Sequence, residues 1–175
     1  MTHLNPSEVD SYRDQGYLLL RQAIKPPDLV SVRALILLLV DKHAGQLYQR
    51  GKISCLYEGE PFERRLALIN QQAKLGASLW DLTRAFDCPE LFHLICHPVI
   101  LDSLESLLGA EIAWTGSYVT RLKLPRNEGT VFPRHQDSQY YGQVTQHLHV
   151  ISLWILLVGV AEDNGCFYVI LGNHT

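Results

Sequence analysis

The sequence predicts an α+β fold in which helices come first and antiparallel strands follow, the strands closing into a sandwich or barrel. Three observations carry that expectation. Up to about residue 110 the apolar residues recur at helical spacing between proline and glycine punctuation. From residue 111 the chain becomes rich in aromatic and β-branched residues, the composition of strands. The 175 residues are 47% hydrophobic and 19% charged with a net charge of −3, which describes one domain with a sizeable core and no disordered tract.

The elements follow in order. Pro6 and Ser7, then EVDSYRDQ and Gly16, read as a short capped helix with a glycine stop, followed by a strand over residues 17–20 (YLLL). Pro26, Pro27 and Asp28 open a second helix over residues 29–43. Its stripe of Leu29, Val32, Leu35, Ile36 and Leu39 should pack on a sheet. Residues 45–87 are mixed, and 66–70 fit a strand or a helix equally well. Two helices, 89–94 and 98–108, meet at Cys96-His97-Pro98, because proline suits a first helical turn and disfavours helix in the residue before it. Residues 111–124 then read as a strand with Val119, Arg121 and Lys123 on one face, 125–132 as a loop, 149–160 (HVISLWILLVGV) as an apolar strand, 162–165 (EDNG) as a turn and 166–171 as a last strand.

Composition excludes several functions. Lys and Arg are scattered without a basic stripe, so no nucleic-acid partner is expected. The longest apolar run, residues 34–40, falls short of the ~18 residues of a membrane span. The N-terminal segment lacks a signal-peptide layout, so a cytoplasmic location is expected. Cys55, Cys88, Cys96 and Cys166 form no CxxC pair and read as reduced, mostly buried thiols.

The chemistry centres on His135 and Asp137. Two residues apart on extended backbone, they point to the same side, so an imidazole nitrogen and a carboxylate oxygen can converge on one divalent ion. A third ligand would complete the 2-His-1-carboxylate arrangement of non-haem Fe(II) oxygenases, which leaves open positions for a co-substrate and dioxygen. Taken without context, HxD also fits a surface ion pair or a capped turn.

Three blocks supply the context: YRDQGYLLLRQAI at residues 12–24, RHQDSQYYG at 134–142 and SLWILLVGVAEDNGCFYVILGNH at 152–174. Together they resemble the phytanoyl-CoA dioxygenase family of Fe(II)/2-oxoglutarate-dependent oxygenases over nearly the whole chain. The resemblance implies a double-stranded β-helix of jelly-roll type, cupin-like, with N-terminal helices packed on one sheet. It makes residues 1–175 a single domain, with 1–110 mostly helical and 111–175 the first part of the barrel.

It also implies Fe(II), 2-oxoglutarate and O2 as cofactor and co-substrates, with hydroxylation of a small organic substrate and release of succinate and CO2. By resemblance His135 and Asp137 are iron ligands, and Trp154 contacts 2-oxoglutarate, although the residues alone favour a core aromatic in an apolar strand for Trp154. Gln136 would border the pocket through its backbone, and Val119 and Arg121 would stand on its wall. The retained Asp137 favours hydroxylation, since halogenating relatives vacate that position for chloride. The chain departs from the family pattern at Arg134, Leu171 and Asn173.

The family's second histidine ligand and its 2-oxoglutarate-clamping arginine follow the loop that His174 matches. His147, His149 and His174 are therefore not expected to be the third ligand. An incomplete barrel is expected, ending in an open sheet edge through which the chain could self-associate. The alternative function is a truncated, inactive relative acting as a binding module or remnant.

Overall fold

The computed structural model describes residues 3–74, 88–116, 118–125, 133–137, 147–172 and 174. Five helices position everything else: α1 Pro6–Gln15, α2 Val30–Gln49, α3 Phe62–Ala73, α4 Pro89–Ile95 and α5 Pro98–Leu108. Two 3-10 turns, Pro26–Leu29 and Glu162–Asn164, complete the described elements.

The helix ends follow from local chemistry. Asn5 caps α1 with a reciprocal pair of bonds: the Glu8 amide donates to Asn5 Oδ1 at 3.0 Å, and the Asn5 amide donates to Glu8 Oε2 at 2.8 Å. Gly16 ends that helix in the left-handed region (φ 79°), where its amide donates to the Tyr12 carbonyl. Between α4 and α5 the chain bends by 46°. There His97 Nδ1 accepts from the Val99 amide at 3.3 Å, capping α5, and Gly109 closes it. The predicted joint at Cys96-His97-Pro98 stands where it was expected. Residues 66–70, which fitted two readings, are helical within α3.

The core is built on α2. Val32, Ile36, Val40, Ala44 and Leu47 recur every three or four residues and are buried against Leu66 and Ile69 of α3 and Leu94 of α4. The helix is longer than expected, running to Gln49. Of the predicted stripe Leu29, Val32 and Ile36 are buried, Leu39 is partly buried and Leu35 does not join the core. The buried face continues to Leu47, packing on helices and extended chain rather than on a sheet.

The jelly-roll double-stranded β-helix is not seen. No strand, sheet or barrel forms among the described residues, and the strands expected over 17–20, 111–124, 149–160 and 166–171 are irregular or extended chain. The reason is physical. An apolar, β-branched run states that a segment seeks burial, but a strand exists only through a ladder partner, which the run cannot specify. Extended geometry persists in part. Ile155 and Leu157 turn inward onto the helical core, while Trp154 and Leu156 between and before them are exposed.

Arg33 of α2 tethers this segment, donating through Nε to the Leu157 carbonyl at 2.7 Å and through its terminal nitrogen to the same oxygen. Among the described residues there is no sheet and so no sheet edge, and exposed apolar side chains on irregular chain stand where the edge was expected. The turn at 162–165 does form, as a 3-10 turn closed by Gly165 (φ 98°). Most of the loop expected over 125–132, and Asn173, lie outside the described residues.

Candidate metal centre

His135 and Asp137 come together as their spacing predicts. His135 Nδ1 lies 2.8 Å from the Pro133 carbonyl. A carbonyl can only accept, so Nδ1 is the donor in that contact and Nε2 is the ring nitrogen left to face Asp137. Nε2 faces Asp137 Oδ1 at 3.4 Å. The other carboxylate oxygen, Oδ2, accepts a hydrogen bond from the Ser152 hydroxyl. Each of the two side chains therefore has one atom held by a neighbour and one atom facing the other side chain. The side chains are 27% and 45% exposed, so an ion and its waters can reach them.

Ser152 is the neighbour of the pair that the sequence does not single out. Its one signal is that it is the only hydroxyl in the apolar run 149–160. Trp154, two residues on, is half exposed, with its ring centroid 3.9 Å from that of Phe167 at an interplanar angle of 56°. The core placement considered for Trp154 is not what the structure shows. Gln136 is exposed between the two ligands, and Val119 and Arg121 are exposed on the extended segment 118–125.

Among the described residues no third His, Cys, Asp or Glu donor joins the pair. His147 and His149 are exposed. His174 is engaged elsewhere, its Nε2 lying 3.0 Å from the Arg13 carbonyl.

Other features lie apart from the pair. A cleft of about 390 Å3 is lined by Asp28, Ser31, Glu90, His93 and His97 among others, and includes neither His135 nor Asp137. The four cysteines are free of disulfides as expected, but none is buried: Cys55 is exposed and the others are partly covered. No single helix among the described residues is long and apolar enough to cross a membrane.

An imidazole and a carboxylate that face each other at 3.4 Å, each steadied by a hydrogen bond, offer two donor types that suit a divalent transition metal. The comparisons with known proteins make the class specific. The family described as phytanoyl-CoA dioxygenase (PhyH) matches residues 12–175, and the chain belongs to that family. Two curated relatives, both phytanoyl-CoA dioxygenase domain-containing protein 1, from Bos taurus and Mus musculus, are 24% identical over 200 aligned residues. Those alignments cover all of this chain and 67% of each relative. No solved structure matches the chain.

Proposed function

We propose that the chain carries the His-Asp half of the metal centre of an Fe(II)/2-oxoglutarate-dependent dioxygenase that hydroxylates a small organic substrate. The observation that supports this most directly is the arrangement of His135 and Asp137: Nε2 facing carboxylate Oδ1 at 3.4 Å, with the outer atoms held by Pro133 and Ser152. The donor set fits the group, since one neutral imidazole and one carboxylate suit a divalent iron ion. Bound iron would supply the oxidative chemistry, in which one atom of O2 goes to 2-oxoglutarate, giving succinate and CO2, and the other to the substrate C–H, giving the alcohol.

The protein's own residues do the rest. The Pro133 carbonyl takes the Nδ1–H and so orients the ring with Nε2 as the nitrogen that would ligate. Ser152 holds one carboxylate oxygen so that the other remains directed at the ion. In this reading Trp154, which follows Ser152 on the same segment, stands on the 2-oxoglutarate side, while Gln136, Val119 and Arg121 form the approach to it. Leu153, Trp154 and Leu156 also offer an exposed apolar surface for association with a second copy.

The test is succinate formation from 2-oxoglutarate that requires added Fe(II), is stimulated by a substrate and is lost in His135→Ala. Succinate formation that is indifferent to His135→Ala overturns the assignment.

A second reading, a catalytically silent relative that retains metal binding, is favoured by one observation: only two donors converge among the described residues. Metal binding without succinate formation across acyl-CoA thioesters and free acids would select it.

A further inference from the structure

We propose that His3, Asp102 and Glu105 form a second divalent transition-metal site, one that pins the N-terminal segment to α5. One ligand atom from each of the three side chains lies within 4.8 Å of the others. Asp102 and Glu105 are three apart on α5 and therefore share a face of that helix. His3 arrives from the other end of the chain, held by two further contacts. The Leu4 amide donates to the Ser106 hydroxyl at 3.1 Å, and the capping box at Asn5 and Glu8 sets where α1 begins immediately afterwards.

The imidazole is prepared for ligation as well as placed. His3 Nδ1 lies 3.2 Å from the Asp102 main-chain carbonyl and 3.5 Å from the Ser106 hydroxyl, and donation of Nδ1–H to that carbonyl leaves Nε2 as the ring nitrogen that would ligate. A backbone carbonyl taking the second ring N–H is the standard support of a ligating histidine. That same carbonyl is fixed in turn, since the Ser106 hydroxyl also donates to it at 2.8 Å. The support therefore comes from the residue that supplies a ligand, and the second element contributing to it is a full helix turn away. Imidazole with two carboxylates suits Zn(II) or Co(II) with water in the remaining positions. Three ligands from segments about a hundred residues apart in sequence make the site form only when the chain is folded, so metal should stabilise the native state.

The experiment uses the full chain without added histidine tags, in a background carrying His135→Ala and Asp137→Asn so that the other pair is silent. Zn(II) is titrated by calorimetry, Co(II) by its visible absorption, and the thermal midpoint is read with and without Zn(II). The proposal expects one saturable site, a Co(II) spectrum containing nitrogen ligation, and a Zn(II)-dependent rise in midpoint. His3→Ala and Glu105→Gln should each weaken binding about tenfold or more and remove that rise. Saturable binding unchanged in both variants, or no saturable binding to the background chain, overturns it. Because the background lacks His135 and Asp137, neither result bears on the proposed oxygenase centre.

Discussion

The imidazole of His174 lies directly over Gly16, so close that a methyl group on Gly16 would stand 2.3 Å from Nδ1 and 2.7 Å from the His174 Cβ. Two residues 158 positions apart in sequence thus share one site at the end of α1. Gly172 completes the contact, its amide donating to the Gln15 carbonyl at 3.0 Å. These bonds satisfy carbonyls of the last helical turn that the helix itself leaves without partners.

Gly16→Ala should therefore be destabilising for two separable reasons. A left-handed φ of 79° costs a β-carbon about 1–2 kcal/mol. The imidazole must also move away, losing its bond to the Arg13 carbonyl. Chemical denaturation should show a loss of about 2 kcal/mol, and adding His174→Ala should cost less in the Gly16→Ala background than in the wild type. Additive losses in the double variant would show that the close approach has no energetic consequence.

How much of this was legible in the sequence depends on the range of each interaction. The Gly16 stop, the 89–108 helix pair and the EDNG turn are set within a few residues and could be read from Gly16, Pro98 and Gly165; a capped start to α1 was legible at Pro6 and Ser7, though the capping residue is Asn5. The His135–Asp137 convergence is an i, i+2 relation and was legible for the same reason. The sheet was not. Its evidence was the apolarity of residues 149–160, and the structure satisfies part of that apolarity by laying Ile155 and Leu157 on α2, α3 and α4. Ser152 and His174 act on partners 15 and 161 residues away, and no local pattern names such partners.

Arg65 is the charged group most exposed to the consequences of burial. Only 4% of the residue is accessible, and its guanidinium meets Asp41 Oδ1 at 2.6 Å while donating twice to the Leu56 carbonyl, at 3.1 and 3.3 Å. Asp41→Asn removes the charge that compensates a buried guanidinium and should cost about 1–3 kcal/mol, the upper part of that range being limited by the half-exposed carboxylate. Arg65→Met, which removes the charge along with its partner's role, should cost less than Asp41→Asn. Urea unfolding of both variants checks the order, and the reverse order would show that the Leu56 bonds dominate.

Arg33 couples the helical core to the extended segment. Its guanidinium spans the Leu157 carbonyl with two N–H groups and lies 5.4 Å from the Phe62 ring centroid. Lysine keeps the charge but has no planar fork, so Arg33→Lys should lose most of the tether, about 1 kcal/mol. Hydrogen exchange at residues 155–158 should accelerate while α2 and α3 remain protected. Equal acceleration in the helices would mean that Arg33 supports the core as a whole.

Ser152 offers a finer test of the metal centre than removing a ligand does. Asp137→Asn should abolish Mn(II) or Fe(II) binding whether or not the surrounding geometry matters, because a ligand oxygen loses its charge. Ser152→Ala leaves both ligands in place and removes only the hydroxyl held by Asp137 Oδ2. If that hydroxyl orients the carboxylate, Mn(II) affinity measured by calorimetry or electron paramagnetic resonance should fall about tenfold or more, as for other outer supports of metal ligands. Ser152→Thr keeps the hydroxyl and should recover most of the affinity. An affinity unchanged in Ser152→Ala would mean that Asp137 is positioned by the backbone of residues 133–137 without help from the segment that carries Trp154.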